Sequence, residues 1–134
     1  MIKVGVDMVS LERIERLLRL YPDRFIKRIF SAEEIADFNQ LRPPTQTVAA
    51  RFAAKEAVLK AIGCGIGPAA LNEVEILKGV KGEPGVRLRG GAACEAAARK
   101  ISAVSVSMTH EPPFAAAVAV AAVSPDGDIN GVFA

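Results

Sequence analysis

Two carboxylates stand in two motifs whose neighbours could do chemistry with them. Asp7 lies in the short apolar run Val4-Gly5-Val6-Asp7-Met8-Val9. Glu56 lies in Arg51-Phe52-Ala53-Ala54-Lys55-Glu56-Ala57-Val58-Leu59-Lys60-Ala61, which also carries Lys55 and Lys60. Carboxylates paired in space bind a hard cation such as Mg²⁺. Lysines beside them bind phosphate. Together these groups point to phosphoryl-transfer chemistry on a nucleotide-like substrate.

The elements that must position these residues follow from patterning. Lys3 to Val9 alternates Val with small or polar residues and predicts a strand. Ser10 is a suitable N-cap for a helix whose apolar stripe is Leu11, Ile14, Leu17 and Leu18. Tyr21-Pro22-Asp23 breaks that helix, and a short segment with Phe25, Ile26, Ile29 and Phe30 follows. Ser31-Ala32-Glu33-Glu34 fits a capping box, opening a helix that turns Ile35, Phe38 and Leu41 inward until Arg42-Pro43-Pro44. A longer helix is expected from about Gln46 to Ile62, stopped by Gly63-Cys64-Gly65-Ile66-Gly67-Pro68.

Leu71 to Val80 and Gly85 to Arg89 read as strands joined by Gly82-Glu83-Pro84-Gly85. Ala92 to Ile101 reads as an Ala-rich helix. Ala103 to Thr109 alternates strictly, with Val104, Val106 and Met108 on one face and Ser105, Ser107 and Thr109 on the other. Phe114 to Val123 reads as a buried last strand. This order predicts a single α+β domain over residues 1–123, a mostly antiparallel sheet packed against helices, with a turn-rich tail over 124–134.

At about 100° per residue, Val48, Phe52, Leu59 and Ile62 share one stripe of the long helix. Lys55 falls inside that stripe, where desolvation penalises its charge unless a partner or a cleft receives it. Glu56 and Lys60 flank the stripe one turn apart, a spacing that also suits an ordinary helix ion pair. The glycine trio Gly63-x-Gly65-x-Gly67 follows the helix, so it is no Walker loop. It suits a C-cap with a tight turn, and beside Lys60 it could let backbone approach a phosphate. His110, the only histidine, ends the alternating strand. Asp126-x-Asp128-x-Asn130-Gly131 matches the first half of a calcium loop, but the bidentate carboxylate would fall beyond Ala134.

Composition bounds the rest. A chain of 134 residues is one domain's length, and 51% apolar residues can build a core. Much of that content is Ala and Val, which bury little area each and favour oligomerisation. Net charge is +2, too small to argue for nucleic acid. Residues 10–30 are locally basic: Arg13, Arg16, Arg19, Arg24, Lys27 and Arg28 face Glu12, Glu15 and Asp23. That stretch is either a solvated, ion-paired helix surface or a dock for an acidic partner. Cys64 and Cys94 have no metal-ligand spacing. No signal peptide and no membrane span are apparent, so a soluble, cytoplasmic protein is expected.

With these residues in view, the chain resembles holo-acyl-carrier-protein synthase, the small bacterial type of phosphopantetheinyl transferase. The resemblance runs from Ile2 to about Val123. It rests on Gly5-Val6-Asp7 with Glu12-Arg13-Ile14, Phe30-Ser31-x-x-Glu34, Arg51-Phe52-Ala53-Ala54-Lys55-Glu56-Ala57 with Lys60-Ala61, Gly63-x-Gly65-Ile66-Gly67, and Ser105-x-Ser107-x-Thr109-His110. It implies Mg²⁺-dependent transfer of phosphopantetheine from coenzyme A to a serine of apo-acyl carrier protein, for fatty acid biosynthesis, with release of adenosine 3′,5′-bisphosphate. It also implies a homotrimer with active sites at subunit interfaces.

By position, the resemblance implies that Asp7 and Glu56 hold Mg²⁺ on the coenzyme pyrophosphate. Lys60 and the loop of Gly63, Gly65, Ile66 and Gly67 would line the coenzyme. Ser107, Thr109 and His110 would approach it from the neighbouring strand, and Arg13, Arg24 and Arg28 would meet the acidic carrier. The serine proton has three candidate acceptors: Glu56 through a water, Lys55 if its pKa is depressed, or His110. The rival from another class is a non-catalytic basic interaction domain. A nucleic-acid version of it would need exposed aromatics, whereas Phe25, Phe30, Phe38 and Phe52 sit on core-like stripes. A broader carrier-modifying transferase would resemble a double-length version of the same fold, and this chain has the short length.

Overall fold

The computed structural model describes residues 1–38 and 43–125. Strand β1 (Ile2–Ser10) leads directly into helix α1 (Leu11–Leu20), and the Ser10 side chain accepts from the Arg13 N–H as an N-cap. Tyr21 closes α1, and Pro22 starts helix α2 (Pro22–Ile29) at once, since a first-turn proline forfeits no helical hydrogen bond. The Ser31–Glu34 capping box opens helix α3, which is short (Ala32–Asp37). Ile35 points outward on it, 36% exposed, while Phe38 is buried against Phe30, edge to face. The inward placement expected of Ile35 is therefore wrong. Leu41 and Arg42 lie outside the described residues.

Helix α4 (Thr45–Ile62) is the centre of the molecule. It packs on all three strands of the larger sheet and touches α1, β2 (Val74–Lys78) and α5 (Gly90–Ala98). The expected stripe of Val48, Phe52, Leu59 and Ile62 is too narrow a description. Ala49, Ala50, Ala53, Ala54, Ala57 and Ala61 are buried as well. Alanines on the remaining faces let neighbours close in from several sides at once.

A 3-10 turn, Leu71–Glu73, precedes β2, which pairs antiparallel with β3 (Pro84–Leu88). The hairpin turn is centred earlier than the Gly82–Gly85 stretch expected: Gly79 N–H bonds Glu83 O and Gly82 N–H bonds Gly79 O. Helix α5 ends before Lys100, and strand β4 (Ile101–Glu111) takes Ile101 instead. Strand β5 (Phe114–Val123) lies between β1 and β4, antiparallel to both. The expectation that β5 is buried holds for one face only. Ala115, Ala117, Ala119 and Ala121 face α4, while Phe114, Val118 and Val120 are exposed on the other side. Ser124 N–H bonds Lys100 O, and residues 126–134, with the calcium-like pattern and most of the expected tail, fall outside the described residues.

One contact sets how close β1 can lie to α4. A Cβ on Gly5 would stand 2.1 Å from Ala57 O and 2.6 Å from Ala61 N. Only glycine fits there. A second constraint is a buried ionic cluster. Lys55 Nζ donates to Glu34 Oε1 at 2.5 Å, Val74 O at 2.5 Å and Leu71 O at 3.2 Å. Glu34 also accepts from Ile76 N–H, and Ser31 Oγ donates to the buried Glu75 at 2.6 Å. The cluster ties α3 and α4 to the β2–β3 hairpin.

Two substitutions test these constraints. Gly5→Ala should lower stability by about 1–3 kcal/mol, because backbone and not a flexible side chain must give way. Glu34→Ala should lower it by about 3–5 kcal/mol by leaving the Lys55 ammonium buried without its counter-charge. Denaturant melts of both variants check this; wild-type midpoints would show that neither contact is limiting.

Candidate active site

The approach enforced at Gly5 brings the inner face of β1 onto the last turns of α4. Lys3, Gly5, Asp7 and Val9 share that face. Lys3 Nζ donates to Ile62 O at the C-terminus of α4, and Lys60 Nζ donates to Val6 O and to Asp7 Oδ1, each at 3.0 Å. Lys60 thus pairs with Asp7 across two elements; no ion pair with Glu56 along the helix is formed. Glu56, half-buried, lies close enough to feel Asp7, Lys60 and Arg13. Burial raises the Glu56 carboxyl above its ordinary pKa, Asp7 pushes it the same way, and Lys60 and Arg13 pull it back.

Two partly exposed carboxylates that repel each other attract a cation. No group of three or more His, Cys, Asp or Glu suited to a metal exists among the described residues. Asp7 and Glu56 are thus two carboxylates, and one or two carboxylates is the protein share that Mg²⁺ takes where water and substrate phosphates complete its shell.

The remaining candidates divide. Gly63 caps α4 in the left-handed conformation, φ 95°, with its N–H on Leu59 O. Gly65 and Ile66 are exposed beyond it, in the loop that follows α4. Lys55 is elsewhere: it has no exposed surface and its three donors are taken. Burial lowers its pKa to about 8 against the pull of Glu34, and donation to three oxygens takes all three N–H of the ammonium and leaves no free lone pair. This geometry speaks against the proton-acceptor reading of Lys55 and gives it a structural one.

Ser107, Thr109 and His110 are exposed on β4, which β5 separates from β1. Ser107 and Thr109 point to the outer face of the sheet, whereas Asp7 is on the inner face. Within one chain Ser107 and Thr109 thus face away from the carboxylates, while His110, opposite Ala115, is at the end of the inner face. On the outer face Ser107 and Thr109 border a shallow depression of about 190 Å³ together with Val6, Ala116 and Val118.

Arg13, Arg24 and Arg28 are exposed on α1 and α2, and Arg24 lies over the Tyr21 ring. No ion pair among the described residues involves a side chain of α1 or α2.

Sequence reasoning missed the burial of Glu75 and Arg51 and the second role of Glu34. Arg51 donates to Ile76 O and stacks on Phe38. The capping box and the Phe30-Ser31-x-x-Glu34 string marked Glu34, the Arg51–Ala57 string marked Arg51 without its burial, and no local pattern marked Glu75.

The fold and the site define a class. A model of the 4′-phosphopantetheinyl transferase superfamily matches residues 3–119. Holo-acyl-carrier-protein synthase of Moorella thermoacetica is 37% identical over 120 residues, covering 90% of this chain and 93% of that one. The crystal structure of the Neisseria meningitidis holo-acyl-carrier-protein synthase superposes with a TM-score of 0.82 at 37% identity, covering 91% of this chain and 99% of that one. The Helicobacter pylori enzyme, solved in complex with coenzyme A, superposes at 0.77 with 31% identity over 89% of this chain and 99% of that one. The chain belongs to the 4′-phosphopantetheinyl transferase superfamily and, within it, to the holo-acyl-carrier-protein synthases. It is an enzyme, and the non-catalytic alternative falls. No helix among the described residues is long and apolar enough to cross a membrane.

Coupling of the two carboxylates is measurable. A ¹³C NMR titration should put the Glu56 pKa above the ordinary glutamate value, and Asp7→Asn should bring it down. An unchanged Glu56 pKa in that variant would mean the two groups do not sense each other.

Proposed function

We propose that the chain transfers 4′-phosphopantetheine from coenzyme A to a serine of apo-acyl carrier protein, with Mg²⁺ as cofactor and adenosine 3′,5′-bisphosphate as the second product. The modified carrier serves fatty acid biosynthesis. The observation that carries this reading is the juxtaposition of Asp7, Glu56 and Lys60 produced by the β1–α4 contact.

Asp7 and Glu56 hold the cation, which offsets phosphate charge when bound. Lys60 supplies a mobile positive charge for the coenzyme phosphates, and the exposed loop of Gly63, Gly65 and Ile66 lets the coenzyme lie close to backbone. Lys55 keeps α4 in place. The proton of the carrier serine goes to Glu56 through a water or to His110. Glu56 is the better supported of the two, because its raised pKa suits a base and it stands beside Asp7. Arg13, Arg24 and Arg28 steer the acidic carrier, a role that their exposure on α1 and α2 supports.

Assembly completes the site. The outer sheet face exposes Ile2, Val4, Val6 and Met8 of β1, each more than 60% exposed, beside Val118 and Val120. A contiguous apolar face of this kind is a contact surface. Ser107 and Thr109 lie on it, away from the carboxylates of their own chain. A homotrimer in which they, with His110, complete a neighbour's site accounts for both facts.

Two experiments test the reading. Incubation with coenzyme A, Mg²⁺ and apo-carrier should add the phosphopantetheine mass to the carrier, only with a divalent cation present. Asp7→Ala or Glu56→Ala should cut turnover by about 100-fold or more with little change in melting temperature. No mass gain across several apo-carriers would sink the transferase reading. For assembly, sedimentation should give three chains per particle. Mixing inactive Asp7→Ala chains with inactive His110→Ala/Thr109→Ala chains should restore part of the activity through mixed trimers. A fully active monomer, or no recovery after subunit exchange, would refute shared sites.

A further inference from the structure

Lys60 leaves the last turn of α4 and folds back over the β1 edge. Its ammonium donates to Val6 O and Asp7 Oδ1, both at 3.0 Å. The Asp7 side chain is only 16% exposed, while that of Lys60 is 53% exposed. The lysine thus covers the accessible side of an otherwise sheltered carboxylate. A cation such as Mg²⁺ binds a carboxylate oxygen at about 2.0–2.1 Å. With the ammonium on the same oxygen, two positive centres would face each other at close range. Even with the cation on Oδ2, the ammonium on Oδ1 offsets the negative charge that the carboxylate presents, so each weakens the hold of the other.

We propose that Lys60 is a tethered counter-ion of Asp7, competing with the divalent cation for this carboxylate in the coenzyme-free protein and swinging onto a coenzyme phosphate when cation and coenzyme enter together. The inference rests on the assignment of Asp7 and Glu56 as cation ligands. The swing needs no backbone movement: the stem has four flexible carbons, and the head is held by two acceptors in a half-exposed position. Arrival of phosphate then frees the carboxylate for the cation, so each ligand strengthens the other. Free cation alone binds poorly, which keeps the site from filling with a metal that carries no substrate.

The probe is Mn²⁺, titrated by electron paramagnetic resonance into the full chain with and without coenzyme A. Lys60→Met should bind Mn²⁺ about two- to fivefold more tightly than wild type in the absence of coenzyme, the factor expected for removing a partly exposed ion pair. It should also lose most of the tightening that coenzyme A gives wild type. Arg13→Met is the control for loss of a nearby positive charge without a hydrogen bond to Asp7, and its gain should be smaller. A Lys60→Met protein that binds Mn²⁺ no better than wild type, or no better than Arg13→Met, overturns the proposal. The double variant Asp7→Ala/Lys60→Met separates this failure from a failure of the metal assignment. If the double variant keeps the Mn²⁺ affinity of Lys60→Met, the cation is not on Asp7, and both ideas fall. If it loses Mn²⁺ while Lys60→Met shows no gain, the assignment stands and the counter-ion role alone is wrong.

Discussion

The approach of β1 to α4 at Gly5 is the constraint on which the site depends. With 2.1 Å between a would-be Cβ and Ala57 O, strand and helix meet backbone to backbone. That distance sets the reach of every side chain across the seam. Lys60 bridges from helix to strand, and Asp7 and Glu56 come close enough to perturb each other. A methyl group at position 5 would widen the seam along its whole length. The packing of a glycine is thus part of the chemistry, although glycine contributes no functional group.

Helix α4 keeps two sets of charges apart. Lys55 and Arg51 point into the cluster with Glu34 and Glu75, where backbone carbonyls and carboxylates satisfy them. Glu56 and Lys60 turn to the β1 side, where water has access. Neighbours in sequence, Lys55 and Glu56 differ by about 100° around the helix axis, enough to send one into the core and leave the other partly exposed. The buried cluster fixes α4 against α3 and the hairpin. The Gly5 seam fixes it against the sheet. Between these two attachments the helix has little freedom to rotate, and the orientation of Glu56 follows.

The larger sheet uses its two faces for different purposes. Alanines on the inner face of β5 admit α4 at short distance. Larger Val, Ile and Met side chains on the outer face cover nothing within the chain. The strand alternation that gives β4 a Ser/Thr face also carries those residues to the outer side, away from Asp7. That outer face leaves apolar area for a neighbour to cover, and this is the physical basis of the shared site proposed above.

The sequence by itself determined the local features. Ser10 and Ser31 start helices through their own hydroxyls, Gly63 ends one, and the Val/Ser alternation fixes the two faces of β4; each depends on residues a few positions apart. The family resemblance, carried by contiguous strings around Asp7 and Glu56, was legible for the same reason. Only the tertiary structure decided that Lys60 pairs with Asp7 and not with Glu56, that Lys55 is a core residue, that α4 is buried on nearly all sides, and that β5 keeps one face open. Each of these depends on which segments meet across 20 to 60 positions of chain, as Lys55 with Glu34 and Lys60 with Asp7 do. Helical spacing can state which residues share a face, but what that face meets is a property of the packed molecule.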